Sequence, residues 1–214
     1  MPQAKPRQTL SPRKTPSQAR SAFTVQAILD AAARVLAKDS LAGFNTNRVA
    51  EVAGVSVGSL YQYFPNKDAL TAALIAFEQD RLAQAVEAGV KASVEAGRAQ
   101  PLRKALSRVV QIAIDHQWGN PVYAAALDHE EKRLPVSAQL QAIQMRLVAA
   151  VAQLLREHLP KLTERKAMLL ARDCVVICKA LIEAEPGQAN LKLLKARVVD
   201  WLMCRLEAEQ GSRL

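Results

Sequence analysis

The sequence predicts an all-α protein: a three-helix unit near the N-terminus, then a larger C-terminal helical bundle. Three observations predict it. Half of the 214 residues are hydrophobic but only 4% are aromatic, and a chain rich in Ala and Leu suits helices better than sheets. Apolar residues recur at i, i+3, i+4 spacing along most of the chain. The helix breakers fall at a few points only: Gly97 to Pro101, Gly119 to Pro121, Pro135, Pro160 and Pro186-Gly187.

Residues 1–22 stand apart. They carry Lys5, Arg7, Arg13, Lys14 and Arg20 with no acid, and Pro2, Pro6, Pro12 and Pro16. Such a segment cannot bury enough apolar surface to offset its ordering entropy, so a disordered basic arm is expected. Whether it contacts DNA or only solubilises the chain is open at this stage. Val25, Ile28, Ala31, Ala32, Val35 and Leu36 then define a first amphipathic helix, roughly 24–38, with Thr24 placed to cap it. The stretch "DSLAGF", 39–44, breaks it.

A short second helix, 46–53, follows the cap residue Asn45, with Val49, Val52 and Ala53 inward. Gly54 can end it, because glycine takes the left-handed conformation without steric cost. Ser56 is a natural cap for a third helix, 57–63, with Leu60 and Phe64 one turn apart on the buried side. Pro65-Asn66 stops that helix, and Asn66 caps a fourth with apolar positions Leu70, Leu74 and Phe77. Two short helices joined by a tight glycine turn make a helix-turn-helix. So small a unit has no room for two tyrosines beside Leu60 and Phe64, and at least one of Tyr61 and Tyr63 should present its hydroxyl outward.

Further helical segments are read near 79–97, 102–117, 120–133, 137–158, 163–184 and 189–209. "MLLARDCVVICKALIEA", 168–184, is apolar almost all round. A helix of that kind is buried on more than one side, at the centre of a bundle or against a second subunit. The expected organisation is an arm at 1–22, a helix-turn-helix domain at 23–72 and a helical ligand-binding and dimerisation domain at 73–214.

Net charge is +9 with His neutral, which favours a polyanionic partner, nucleic acid before anionic membrane. No run of about 18 apolar residues and no secretory signal is present, so a cytoplasmic protein is expected. The three cysteines, Cys174, Cys178 and Cys204, form no disulfide framework. Cys174 and Cys178 at i, i+4 read as small apolar core residues, with a thiol sensor or metal site as the competing reading. Of the three histidines, His129 stands beside Asp128 and two residues before Glu131. Those spacings point in different directions on a helix, so no metal and no cofactor are expected. No Gly-rich phosphate loop or nucleophile elbow suggests an enzyme.

"NTNRVAEVAGVSVGSLYQYFPNKDAL", 45–70, resembles the DNA-binding segment of the TetR family of bacterial transcriptional regulators. The pattern rests on Val49-Ala50, Ala53-Gly54-Val55-Ser56, Gly58, Leu60-Tyr61, Tyr63-Phe64, Lys67 and Leu70. Two positions depart from it: Ser40-Leu41 stands where the family often has Gly and an aromatic, and Val57 where many members carry Lys or another polar residue. The resemblance implies a homodimeric repressor. Its third helix would enter the major groove of a double-stranded DNA operator, and its C-terminal helices would dimerise and enclose a small-molecule inducer.

Contact roles follow as expectations. Thr46 and Asn47 would reach the sugar-phosphate backbone, Ser56 would meet a phosphate at a helix N-terminus, and Gly58 would let the backbone approach closely. Tyr61, Tyr63 and Lys67 would hold phosphates, which position the protein. Val57, Ser59 and Gln62 would read bases, since Gln pairs with adenine and Val can touch a thymine methyl. In the C-terminal region, Phe77, His116, Trp118 and Tyr123 are candidates for an inducer pocket, with ordinary core as the alternative. A DNA-binding scaffold with a protein partner and no inducer is the competing function.

Overall fold

A computed structural model describes residues 19–97, 100–135, 137–185 and 187–211. The basic arm falls almost wholly outside them. The described residues form nine α-helices and no strand. None of these helices is long and apolar enough to cross a membrane. The described residues divide into two compact units, one made of those within 19–78 and 122–137, the other of those within 79–121 and 138–211.

The first unit holds α1 (Ala19–Gly43), α2 (Thr46–Ala53), α3 (Val57–Tyr63), the first turns of α4 (Lys67–Glu95) and nearly all of α6 (Pro121–Arg133). α2 packs on α1 and α3 on α2. Ile28, Leu36, Phe44, Val49, Leu60, Phe64, Leu70 and Leu74 are almost completely buried, each contributing on the order of 1.5–3 kcal/mol of transfer free energy. All but Phe44 are inward positions that the periodicity marks; Phe44 lies in the stretch read as a break, and Val52 and Ala53, also expected inward, are half-buried.

One local expectation is corrected: α1 begins at Ala19, so Thr24 lies inside the helix instead of capping it. The break expected at 39–44 is present at Ser40, whose backbone leaves the helical region at φ 55, ψ −172, and a short helical turn then reaches Gly43. A non-glycine residue there is strained, because its Cβ crowds the neighbouring carbonyl.

The second unit holds the rest of α4 with α5 (Leu102–Trp118), α7 (Ala138–His158), α8 (Glu164–Glu183), a 3-10 turn at Gln188–Asn190 and α9 (Leu191–Gly211). α8 packs against α5, α7 and α9, and α5 against α9. Its core includes Val90, Leu106, Ile114, Leu155, Leu170 and Val198. The segment read as a separate helix at 79–97 is the continuation of α4. Nothing between Asn66 and Glu95 stops a helix: there is no proline, and Gly89 is buried against α5, where an added Cβ would stand 2.7 Å from Ile112 Cδ1. Arg146 on α7 bridges Asp80 and Glu87 on α4, and Arg103 pairs with Asp200.

Candidate nucleic-acid interface

The ends of α2, α3 and α4 are set by three side chains and one glycine. Asn45 Oδ1 accepts from the Arg48 amide at 2.9 Å and opens α2. Gly54 closes it at φ 68, its amide donating back to Glu51 at 3.1 Å. The left-handed value is why a glycine is needed there. Ser56 Oγ accepts from the Ser59 amide at 3.0 Å and stands 2.8 Å from Ser59 Oγ. It caps α3, satisfying one of the amides that a helix start leaves unpaired. Asn66 Oδ1 accepts from the Ala69 amide at 2.7 Å and opens α4.

This local chemistry fixes how α3 is presented. Leu60 and Phe64 are buried. Val57, Gly58, Tyr61 and Gln62 are exposed, and Ser59 and Tyr63 half-buried. Val57 keeps 38% and Tyr61 40% of its surface open, so an apolar and an aromatic side chain stand on the solvent face of α3. At Gly58 an added Cβ would find only Ser56 Oγ, at 3.9 Å. Nothing among the described residues demands a glycine there.

Among the backbone-contact candidates, Asn47 and Lys67 are exposed. Lys67 Nζ stands 5.4 Å from the centroid of the buried Phe44 ring, which restrains the side chain by a cation–π contact. Thr46 is buried, and its hydroxyl hydrogen-bonds the Tyr61 hydroxyl at 3.0 Å. That contact ties the start of α2 to the middle of α3 and fixes the Tyr61 ring. It joins residues fifteen apart in sequence, and the helix periodicity carries no sign of it. Arg48 is engaged with Glu51 at 2.7 Å and with Asp39 at 3.7 Å, so it is a strut between α1 and α2.

Arg133, on α6, reaches the same unit from 65 residues downstream. Its guanidinium donates to Asp68 Oδ1 at 2.6 Å and Oδ2 at 3.3 Å, and to Glu130 at 2.9 Å. Those hydrogen bonds hold the Asp68 carboxyl below its ordinary range and raise the guanidinium further. The sequence reading assigned nothing to Arg133, because no local pattern connects it to Asp68.

The inducer candidates are divided between the two units. Phe77 and Tyr123 belong to the first, His116 and Trp118 to the second, and all four are half-buried. Trp118 packs against the second core, and its carbonyl accepts from Gln188 Nε2 at 2.8 Å. A groove of about 500 Å³ lies between α7 and α8, lined by Met145, Met168 and Leu169 with Arg165 and Arg172 among its cations. It includes none of those four. Cys174 is buried, and desolvation pushes its thiol up to about 11 and that of half-buried Cys178 to about 12. Such thiols are unreactive, which supports their reading as core. Among the described residues no group of three ligating side chains could hold a metal.

Comparisons with known proteins place these features. Residues 28–74 match the family model described as bacterial regulatory proteins, tetR family, and residues 101–199 match that of the tetracyclin repressor-like C-terminal domain. The chain is 28% identical over 209 residues to the HTH-type transcriptional regulator EthR of Mycolicibacterium smegmatis, covering 91% of this chain and 94% of the relative. The fold is shared with the transcriptional regulator FadR of Bacillus subtilis, solved in complex with stearoyl-CoA (TM-score 0.63, 18% identity, 83% of this chain and 96% of that one). It is shared too with a TetR transcriptional regulator of a Rhodococcus species (TM-score 0.62, 22% identity, 86% and 97%).

Proposed function

The chain belongs to the TetR family and is a DNA-binding transcriptional regulator, not an enzyme; from that premise we propose that it is a homodimeric repressor which a small molecule releases from its operator. One observation carries the DNA-binding half of this reading. α3 is capped and pinned on its inner side, while its outer face offers Val57, Gly58, Tyr61 and Gln62 to solvent. A helix presented this way fits the major groove, its N-terminal side chains at base edges.

In this reading Val57, Ser59 and Gln62 read bases, and Asn47, Ser56, Tyr61, Tyr63 and Lys67 hold phosphates. Thr46 acts through Tyr61. Residues 23–72 form the DNA-binding domain and 73–214 the effector and dimer domain. Dimerisation is supported by α8 and α9, which pack on each other yet leave large apolar side chains open: Leu169 at 50%, Val176 at 60%, Leu193 at 64% and Trp201 at 38%. The opposite side of α8 is already in the core through Leu170, Ala171 and Cys174. That two-sided apolar character is what the sequence of 168–184 calls for. FadR, solved with stearoyl-CoA, supports a small-molecule effector as something this fold can house.

The test is selection of a binding duplex from a randomised pool, followed by titration with wild type and Gln62→Ala. The wild type should select a two-fold symmetric site, as a dimer must. Gln62→Ala should lose preference at one position per half-site, by about 1–3 kcal/mol. Recovery of no consensus would remove the operator reading, and an unchanged preference profile would remove the role of Gln62.

A further inference from the structure

α6 supplies an arginine to the unit that carries the DNA-facing surface, and the charges around it are unevenly placed. Asp68 occupies the second position of α4, directly after Lys67. Resting on the reading that Lys67 meets a phosphate, a carboxylate one residue away would oppose that contact, by repelling the phosphate and by competing for the ammonium. Asp68 does not act freely. Arg133 grips both its oxygens, at 2.6 and 3.3 Å, while Glu130, which is 8% exposed, takes the remaining side of the same guanidinium.

We propose that Arg133 is a positioning residue for DNA binding: from α6 it holds the Asp68 carboxylate against itself and neutralises it, leaving Lys67 as the uncompensated charge at the start of α4. Glu130 aims the guanidinium. Its buried carboxylate needs a cation, so the arginine is fixed before any DNA arrives. Lys67 is held separately by the Phe44 ring. The pull of Asp68 on Lys67 is present but weak: among the influences that lower the Asp68 carboxyl, the Arg133 hydrogen bonds come first and Lys67 last. The bidentate fork makes lysine a poor substitute, since an ammonium cannot span two carboxylates in one plane.

The experiment measures affinity for a duplex selected by the wild-type protein, at several salt concentrations, for Arg133→Gln, Asp68→Asn, the double variant and Lys67→Ala. Gln is chosen because its amide can still donate to Glu130. Arg133→Gln should bind roughly fivefold more weakly at low salt, with the deficit narrowing as salt rises, because the unmasked charge is screened. Asp68→Asn should bind as tightly as wild type or up to about twofold tighter, and the double variant should return to within about twofold of wild type. A salt-independent deficit in Arg133→Gln that Asp68→Asn does not rescue would mean that the arginine is only a strut, and would overturn the proposal. So would Asp68→Asn alone weakening binding. If Lys67→Ala weakens binding while Arg133→Gln matches wild type, the proposal falls and the phosphate role of Lys67 stands. If Lys67→Ala also binds as wild type, that role falls and the proposal with it.

Discussion

Ser40 offers a test of the backbone itself. It sits at φ 55, ψ −172 within α1 and is exposed. Glycine reaches that region freely, and other residues pay about 1–3 kcal/mol for it. Replacing Ser40 with Gly removes that strain but gives the unfolded chain more freedom to lose, about 0.5–1 kcal/mol. The difference is a net stabilisation of roughly 0.5–2 kcal/mol. For a chain of this length that is a rise of about 1–8 °C in melting temperature. The assay is thermal and urea unfolding at one fixed protein concentration, because the midpoint of any protein that dimerises depends on concentration. Ser40→Ala is the control. Alanine is the better helix former but keeps the Cβ that causes the strain, so it should leave the midpoint unchanged or lower it. If Ser40→Ala stabilises as much as Ser40→Gly, helix propensity governs the position and the strain argument is wrong. The kink keeps the amide of Phe44 bonded to the Ser40 carbonyl at 3.1 Å, and Phe44 is the ring over which Lys67 lies. Relief of strain without loss of DNA affinity would show that this geometry survives the substitution.

The two glycines of the helix-turn-helix should respond oppositely. Gly54→Ala forces a Cβ into the left-handed region and should cost about 1–2 kcal/mol of stability in urea unfolding. Gly58→Ala meets no atom of the chain closer than 3.9 Å and should gain up to about 1 kcal/mol from helix propensity, yet bind the selected duplex at least tenfold more weakly if the backbone approaches DNA there, as anisotropy would show. A thiol reagent at pH 8 should label the exposed Cys204 quickly, while Cys174 and Cys178, raised to about 11 and 12 by burial, should react only after denaturation; fast reaction of two or more thiols per native chain would contradict their place in the core. The Asp68 carboxyl is held below its ordinary value of 3.8, so its pairing stabilises the fold above that pH and is lost as pH falls through the lowered value. Asp68→Asn should therefore lower the urea midpoint at pH 7, with the gap to wild type closing in acid; a gap that does not depend on pH would rule out the ion pair as its source.

What the sequence disclosed and what it withheld divide by the range of the interaction. Asn45, Ser56 and Asn66 accept from amides three residues on, and the Gly54 amide donates to carbonyls within four residues of itself, so cap chemistry alone sets the ends of α2 and α3 at the predicted residues. The inward set of Leu60, Phe64, Leu70 and Leu74 was legible for the same reason, since helical periodicity is local. The continuity of α4 was less so: the reading starts a new segment near 79, where no helix breaker stands. The Thr46–Tyr61 hydroxyl pair and the Arg133 fork cross fifteen and 65 residues, and no spacing rule reaches that far. They also change what the local reading means. Thr46 had seemed a phosphate contact in its own right and is instead buried behind Tyr61. Lys67 reads as a phosphate contact from its position at the start of α4, and the acid beside it, Asp68, is paired with Arg133. A surface read from its own segment therefore marks its exposed side chains, while pairs formed from far along the chain, such as Arg133 with Asp68, set which of its charges are already engaged.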